Sequence, residues 1–243
     1  MELLRLFPDR AEVTVEQAAS GLDFAGRAPA GRPFVAVNMV TSADGKATLA
    51  GRTAPMSDET DRELFHQLRA ETDGILVGAG TVRIERYGRV TKTPELQAKR
   101  EREGVRLDPF AVIVSGNLNL PGDIPLLSDP ESHVIVVTSS RDTIDGAAAH
   151  IDYVRAPLGP ALRRLREEFG IRSLLCEGGP TLNATLFAEG LADELFLTVA
   201  PLIAGAGEAL TIVEGLPLPA PPILELMTVH EAGGHLFVRY RVG

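Results

Sequence analysis

The chain reads as an α/β protein built on a mostly parallel mixed sheet, flanked by helices and finished by a C-terminal antiparallel hairpin. Three observations predict this. Short, nearly continuous apolar runs, such as Phe34 to Val40 and Gly74 to Gly78, have the character of strands buried on both faces. Segments with helical spacing of apolar residues lie between them, and that alternation is the pattern of parallel β units. The tail differs, because the runs 224–231 and 236–241 flank Gly233-Gly234, a hairpin-turn composition.

Each element has its own signals. Residues 1–31 end in Ala25-Gly26-Arg27-Ala28-Pro29-Ala30-Gly31, a linker-like composition, and are expected as an extension wrapping the outside of one domain spanning 1–243. After the strand opened by Phe34, Ser57 is the expected N-cap of a helix, with Asp58 and Glu59 in its first turn. Leu64, Phe65 and Leu68 supply its apolar stripe, which runs to about Thr72. Gly74 to Gly78 is a central strand. The segment from Thr91 to Asp108 is charged and poor in apolar residues, so a solvated helix with loops is expected. Phe110 to Val114 and Val134 to Thr138 are β-branched strands, with a turn at Pro121-Gly122 between them. Tyr153-Val154 makes a brief edge strand. Leu162, Leu165 and Phe169 share a helix face, and Gly170 suits its C′ position. A strand from Ser173 to Cys176, a helix through Phe187 closing at Gly190, and a strand from Glu194 to Ala200 complete the alternation.

Composition narrows the function. The chain has 243 residues, 44% apolar and 23% charged, ordinary for a globular protein. A net charge of −9 argues against nucleic acid or an anionic membrane as the main partner. No apolar run is long enough to span a bilayer. The start, MELLRLFPDRAEV, is broken by Arg5, Pro8 and Asp9 and lacks a signal-peptide pattern, so a cytoplasmic location is expected. Cys176 is the single cysteine, which rules out an internal disulfide and a Cys-rich zinc site; in an apolar strand it reads as a buried, inert thiol. The five histidines show no HExxH or paired ligand spacing, and no metal is expected.

Three loops carry the candidate chemistry: Ser42-Ala43-Asp44-Gly45-Lys46, Gly78-Ala79-Gly80-Thr81, and Glu177-Gly178-Gly179-Pro180-Thr181. Each follows an apolar strand, and loops leaving parallel strands share the rim where open α/β sheets bind ligands. Glycines let the backbone approach a phosphate, and a helix start offers free N–H groups to it. Two glycine loops therefore suggest a dinucleotide. Two carboxylates, Asp44 and Glu177, suggest acid–base or orienting work on a polar substrate. Each feature also has a plain structural role: Asp44-Gly45 is a turn dipeptide, Lys46 alone is ordinary surface charge, and Arg69 suits a helix C-terminus. Glu177 is harder to dismiss, because burying a carboxylate without partners costs several kcal/mol.

The order strand, S-x-D-G-K, helix ending L-R-A, strand, G-A-G-T-V, and later E-G-G-P-T-L resembles the reductase domain of bacterial riboflavin biosynthesis, the C-terminal domain of RibD. The resemblance runs from about Arg32 to Ala204, and more loosely to the C-terminus. Further matches are Leu68-Arg69-Ala70 before Asp73-Gly74-Ile75, and Leu191-Ala192-Asp193-Glu194-Leu195 leading into Ala200-Pro201-Leu202. That family has a dihydrofolate-reductase-like fold and uses NADPH to reduce the ribosyl group of a ribosylamino-pyrimidine phosphate to a ribityl chain.

The resemblance implies site residues. Gly78, Gly80 and Thr81, with Gly178, Gly179, Pro180, Thr181, Leu182 and Asn183, would hold the NADPH phosphates; Val40, Thr41 and Ser115 would line the rest of that site, and Glu85 would keep an acidic contact near it. Asp44 and Glu177 would face the substrate, Glu177 holding ribose hydroxyls, with Thr53 and Arg69 at the polar end and Lys46 polarising the reacting group. A homodimer is implied too. The chain departs from the family in three places. The deaminase elements H-x-E and P-C-x-x-C are absent, so deamination is not expected. Pro55 stands where the family often has tryptophan. After Thr81 the usual D-D-P-x-L-T-x-R is replaced by Ile84-Glu85-Arg86-Tyr87-Gly88-Arg89-Val90, so Arg89 or Lys92 grips the substrate phosphate or the substrate lacks one. Dihydrofolate or pterin reduction, a non-catalytic NADPH-binding role and a carboxylate-based hydrolase are the competing functions.

Overall fold

The computed structural model describes residues 1–91, 93–102, 104–205, 209–215, 217–218 and 220–243. Its parallel strands form where the sequence is apolar on both faces of the pleat. They are, in chain order, β3 (Phe34–Ser42), β4 (Gly74–Gly78), β5 (Phe110–Val114), β6 (His133–Thr138), β7 (His150–Arg155), β8 (Ser173–Cys176) and β9 (Glu194–Ala200). With β1 (Glu2–Phe7), β2 (Ala11–Thr14), β10 (Leu224–Ala232) and β11 (His235–Val242), they make one eleven-stranded sheet, ordered β2-β1-β10-β11-β9-β3-β8-β4-β5-β6-β7. The pairings from β9 across to β7 are all parallel, and those from β9 to β2 are antiparallel.

Side-chain alternation divides the core between the two faces. Leu76 and Val112 pack with α6 (Leu158–Phe169) and α7 (Pro180–Ala188), through Leu162, Leu165 and Leu186. Ile75, Val77 and Ile113 point the other way, onto Val82 of α3 (Ala79–Ile84) and Leu126 and Leu127 of α5 (Pro125–Ser128). On that second face α2 (Glu59–Ala70) buries Leu64 and Leu68 against Ala36, Leu175 and Phe196. Gly170 ends α6 at φ +69, the left-handed conformation that glycine adopts without a Cβ penalty.

Several local expectations give way to tertiary contacts. The N-terminal segment does more than wrap the outside: β1 pairs with β10 and β2 with β1, which extends the sheet. Asp58, not Ser57, caps α2, accepting from the Asp61 N–H at 2.8 Å, and the helix stops at Ala70. The short helix α1 (Val15–Ala18) starts at a Thr14/Gln17 capping box. The largest difference is α4 (Pro94–Arg102), whose Lys99 and Arg100 are buried, where a solvated helix was expected. Arg100 passes under the end of α2, and its Nη1 donates to the carbonyls of Arg69, Ala70 and Thr72 at 3.0, 3.2 and 2.7 Å. The first two are among the carbonyls that a helix C-terminus leaves unpaired.

The topology fixes where a ligand would sit. From β4 the chain steps outward through β5, β6 and β7, whereas from β8, the neighbour of β4, it crosses to β9 on the far side of β3. Adjacent strands whose connections leave in opposite directions open a crevice at their carboxyl ends. Gly78 ends β4 and Cys176 ends β8, so the crevice lies between the second and third candidate loops.

Candidate active site

The two glycine loops meet at this switch point. The Gly78 N–H donates to the Gly178 carbonyl at 2.9 Å, and a Cβ on Gly179 would lie 3.4 Å from the Gly78 Cα. Gly178 and Gly179 have φ of +92 and +93, which favours glycine at both. Gly179 then serves as N-cap of α7 with no side chain to cap it. Pro180 occupies the first turn, and no acidic residue stands there. The Thr181 and Leu182 N–H groups are thus left as donors at the positive end of a nine-residue helix.

Helix α3 separates two spaces. Its Ala79, Gly80 and Arg83 line an open groove of about 660 Å³, shared with Ser115 and Asn117 beyond β5 and with Gly179 to Leu182. Its Thr81 and Glu85 line a cleft of about 250 Å³ on the opposite side, bounded by Asp61, Phe65 and Arg69 of α2 and by Asn38 to Val40 of β3. Residues 79, 80 and 83 differ from 81 and 85 by the angular step that puts them on different faces of a helix. The wide groove holds the glycine-rich helix start and Arg83, and the smaller cleft holds Asp61, Glu85, Glu177 and Arg69.

Glu177 is the centre of the cleft. Its side chain is 1% exposed, and it accepts from Arg69 Nε at 2.6 Å, Arg69 Nη2 at 2.7 Å and the Tyr87 hydroxyl at 2.8 Å. The guanidinium packs over the Phe65 ring at 4.1 Å and near the Tyr87 ring at 5.7 Å. Burial opposes the Arg69 charge, but the Glu177 carboxylate outweighs it and holds the guanidinium above its ordinary pKa. Burial first, and then the Glu177 charge, push the Tyr87 phenol well above its ordinary value, so it remains a hydrogen-bond donor. Around this centre, Thr53 Oγ1 donates to Glu85 Oε1 at 3.3 Å and Ser57 Oγ to Asp61 Oδ2 at 2.5 Å. The cleft is therefore a preorganised set of polar groups facing an apolar wall of Met39, Val40 and Phe65.

The structure brings together Val40, Thr53, Arg69, Thr81, Glu85 and Glu177 in the cleft, and Gly80, Ser115, Gly179, Pro180, Thr181 and Leu182 in the groove. Thr81 and Glu85, both expected near the cofactor, lie on the cleft side of α3. Gly78, Gly178 and the buried Thr41 line neither space; the Gly78 N–H and the Gly178 carbonyl tie the two loops together.

Three further expected residues fall outside both spaces. Asp44 is exposed and accepts from Ser42 Oγ at 2.6 Å and from the N–H groups of Ala204 and Gly205 at 2.9 and 2.8 Å. Those bonds, Ser42 first, lower its pKa to about 2. Its carboxylate joins the 42–46 turn to the loop after β9, and it is not among the residues lining the cleft with Glu177. Lys46 belongs to the same turn, its N–H donating to Ser42 Oγ at 2.9 Å. Asn183 is fully buried; its amide donates to the Ile212 carbonyl at 2.8 Å, behind α7 rather than toward the groove. Cys176 is buried as expected, and burial pushes its thiol up to about 12. Of the two substitutes for the phosphate-gripping arginine, Arg89 is tied to Asp108 and Glu131, and Lys92 lies outside the described residues.

Sequence reasoning missed Tyr87, Asp61, Arg83 and Asn117. Tyr87 was visible only as a departure from a family pattern, and nothing in its neighbours announces a bond to a residue 90 positions away. Arg83 carried a detectable signal, since residues three apart on a helix share a face and Gly80 was already placed at the groove.

Comparison with known proteins points to one family. Residues 33–238 match the family model described as the RibD C-terminal domain. The chain is 33% identical over 221 residues to the 2,5-diamino-6-ribosylamino-4(3H)-pyrimidinone 5′-phosphate reductase of Methanothermobacter thermautotrophicus, covering 87% of this chain and 99% of the relative. It is 31% identical over 194 residues to the enzyme of the same name from Archaeoglobus fulgidus, covering 76% of this chain and 87% of that one. Among solved structures, a pyrimidine reductase-like protein from Corynebacterium diphtheriae superposes with a TM-score of 0.72 at 25% identity, over 95% of this chain and 99% of that one.

Proposed function

Because the chain belongs to the RibD C-terminal domain family, we propose that it is an NADPH-dependent reductase of a 6-ribosylamino-pyrimidine 5′-phosphate, converting the ribosyl group to a ribityl chain in riboflavin biosynthesis. The observation that carries this reading is the pair of spaces divided by α3: a wide groove at an uncapped helix start, and a smaller cleft around Glu177, Arg69 and Tyr87.

The groove fits a dinucleotide. Thr181 and Leu182 offer backbone N–H groups to a pyrophosphate, with no acidic side chain in the first turn to repel it. Arg83 lines the same groove, and we assign it to the 2′-phosphate that distinguishes NADPH from NADH. When bound, NADPH supplies the hydride; the chain's part is to align the acceptor carbon and to manage one proton.

In the cleft, Glu177 presents a carboxylate fixed by Arg69 and Tyr87 and suited to ribose hydroxyls. Thr53, Thr81 and Glu85 offer further donors and acceptors to the sugar or the heterocycle. Asp44 orders the loop beside the rim, and Lys46 is the cation nearest to it in the chain. No helix among the described residues is long and apolar enough to cross a membrane. We take the enzyme to be cytoplasmic and homodimeric, with exposed Ile223, Leu224 and Leu226 offering apolar surface for a second copy.

One observation favours a second reading. Among the described residues lining the cleft, Arg69 is the sole cation, and Glu177 neutralises it. A dihydropterin carries no phosphate and needs no free cation there. Following NADPH absorbance with the ribosylaminopyrimidine phosphate and with dihydrofolate decides between them. Oxidation dependent on the phosphorylated pyrimidine supports the main reading. Turnover of dihydrofolate alone replaces it, and tight NADPH binding with neither reaction leaves a non-catalytic nucleotide-binding protein.

A further inference from the structure

Away from both spaces, at the amino ends of β6 and β7, three donor side chains converge. His133 opens β6 and His150 opens β7, and the parallel register makes them direct cross-strand partners. Asp152 lies two residues beyond His150, so the pleat returns it to the same face. Asp152 Oδ2 is 2.7 Å from His133 Nε2 and 3.3 Å from His150 Nε2, and one donor atom from each residue falls within 4.8 Å of the others. The imidazole rings stand 4.5 Å apart at 76°, and the Phe110 ring backs His133 at 4.9 Å.

We propose that His133, His150 and Asp152 form a binding site for a divalent transition-metal ion, with Zn²⁺ as the best-matched ion. Two imidazoles and one carboxylate suit zinc, cobalt or nickel rather than magnesium or calcium, which prefer oxygen-rich sets. Donors around a tetrahedral ion with bonds of ~2.0 Å lie about 3.3 Å apart. The Asp152–His150 spacing is already 3.3 Å, and the 2.7 Å Asp152–His133 spacing opens by about 0.6 Å through rotation of the carboxylate. His150 is 67% exposed, so the ion has an entry path and keeps water in its remaining position. The ring of Phe110 fixes the more buried imidazole, the apolar backing that metal ligands commonly have. The site would clamp β7, the sheet's edge strand, to β6. It lies at the opposite ends of the strands from the groove and the cleft, so its role is structural rather than catalytic.

The test uses the full chain without an affinity tag, stripped with chelator and titrated calorimetrically with ZnCl₂, alongside His150→Ala and Asp152→Asn. His150 is exposed and Asp152 partly so, and neither belongs to the reductase site, so both variants should fold and turn over NADPH as the parent does. The expected result is saturable 1:1 binding in the parent, weakened at least about tenfold in each variant, with a Zn²⁺-dependent rise in Tm confined to the parent. Co²⁺ should give visible absorption bands with the parent and lose them with His150→Ala. Absence of saturable binding, or equal binding by parent and variants, overturns the proposal. Neither result bears on the reductase reading, which is measured separately.

Discussion

Arg69 and Glu177, 108 residues apart in the chain, form a two-pronged ion pair at the floor of the cleft, with bonds of 2.6 and 2.7 Å and only 12% and 1% of their side chains exposed. A buried pair is a weak source of net stability, but removing one partner strands the other charge. Glu177→Gln should therefore lower stability by about 3 kcal/mol, read as a shift in the urea midpoint. It should also reduce kcat/KM by at least about 100-fold. Arg69→Lys keeps the charge but loses the planar fork, so its defect should appear mainly in the KM for the pyrimidine substrate.

Arg83 should govern cofactor choice. If it holds the 2′-phosphate, Arg83→Ala raises the KM for NADPH about tenfold or more and leaves the KM for NADH unchanged. Equal changes for both cofactors would remove it from that role. Steady-state kinetics with the two dinucleotides makes the measurement.

Tyr87 provides a pH signature. Its phenol is held protonated in the fold by burial and by Glu177, so its folded pKa lies above the unfolded value. Stability from this contact is fully present below pH ~10 and is lost as pH rises through the folded pKa. Tyr87 should show tyrosinate absorbance only well above the ordinary range while the protein remains folded. Tyr87→Phe should delete that late step and flatten the alkaline fall in stability.

Arg100 should act on the cleft without touching it. Burial lowers its pKa to about 10, and it remains under the end of α2 because three carbonyls there accept its Nη1 hydrogens. Arg100→Met fills similar volume but removes its bonds to those carbonyls, at a cost of about 2 kcal/mol. Because Arg69 is the penultimate residue of α2, the variant should raise the substrate KM more than it lowers kcat. Hydrogen exchange should show earlier opening of the last turn of α2. A uniform loss of folded protein with unchanged KM would mean that Arg100 serves stability alone.

The parallel strands and the second and third loops were legible because their signals are local: β4, β8 and the start of α7 each carry their apolar run or glycines within a few residues. What escaped the sequence depends on partners far along the chain. The strand character of residues 2–14 rests on β10, more than 200 positions later. The bonds from the Ala204 and Gly205 N–H groups to Asp44 join residues about 160 positions apart and have no local signal. The segment containing Arg100 looks solvated by composition, and only the carbonyl end of α2 explains why a guanidinium is buried there. Tyr87 is the clearest loss, since its meaning comes from Glu177.

The most direct measurement of the central claim is the fate of a labelled hydride. With NADPH carrying deuterium at the transferable position of C4, one deuterium should appear on the first ribityl carbon of the product, read by mass spectrometry, and Glu177→Gln should slow that transfer at least about 100-fold. Cofactor that keeps its label in the presence of the ribosylaminopyrimidine phosphate, or label delivered only to a pterin ring, would contradict it.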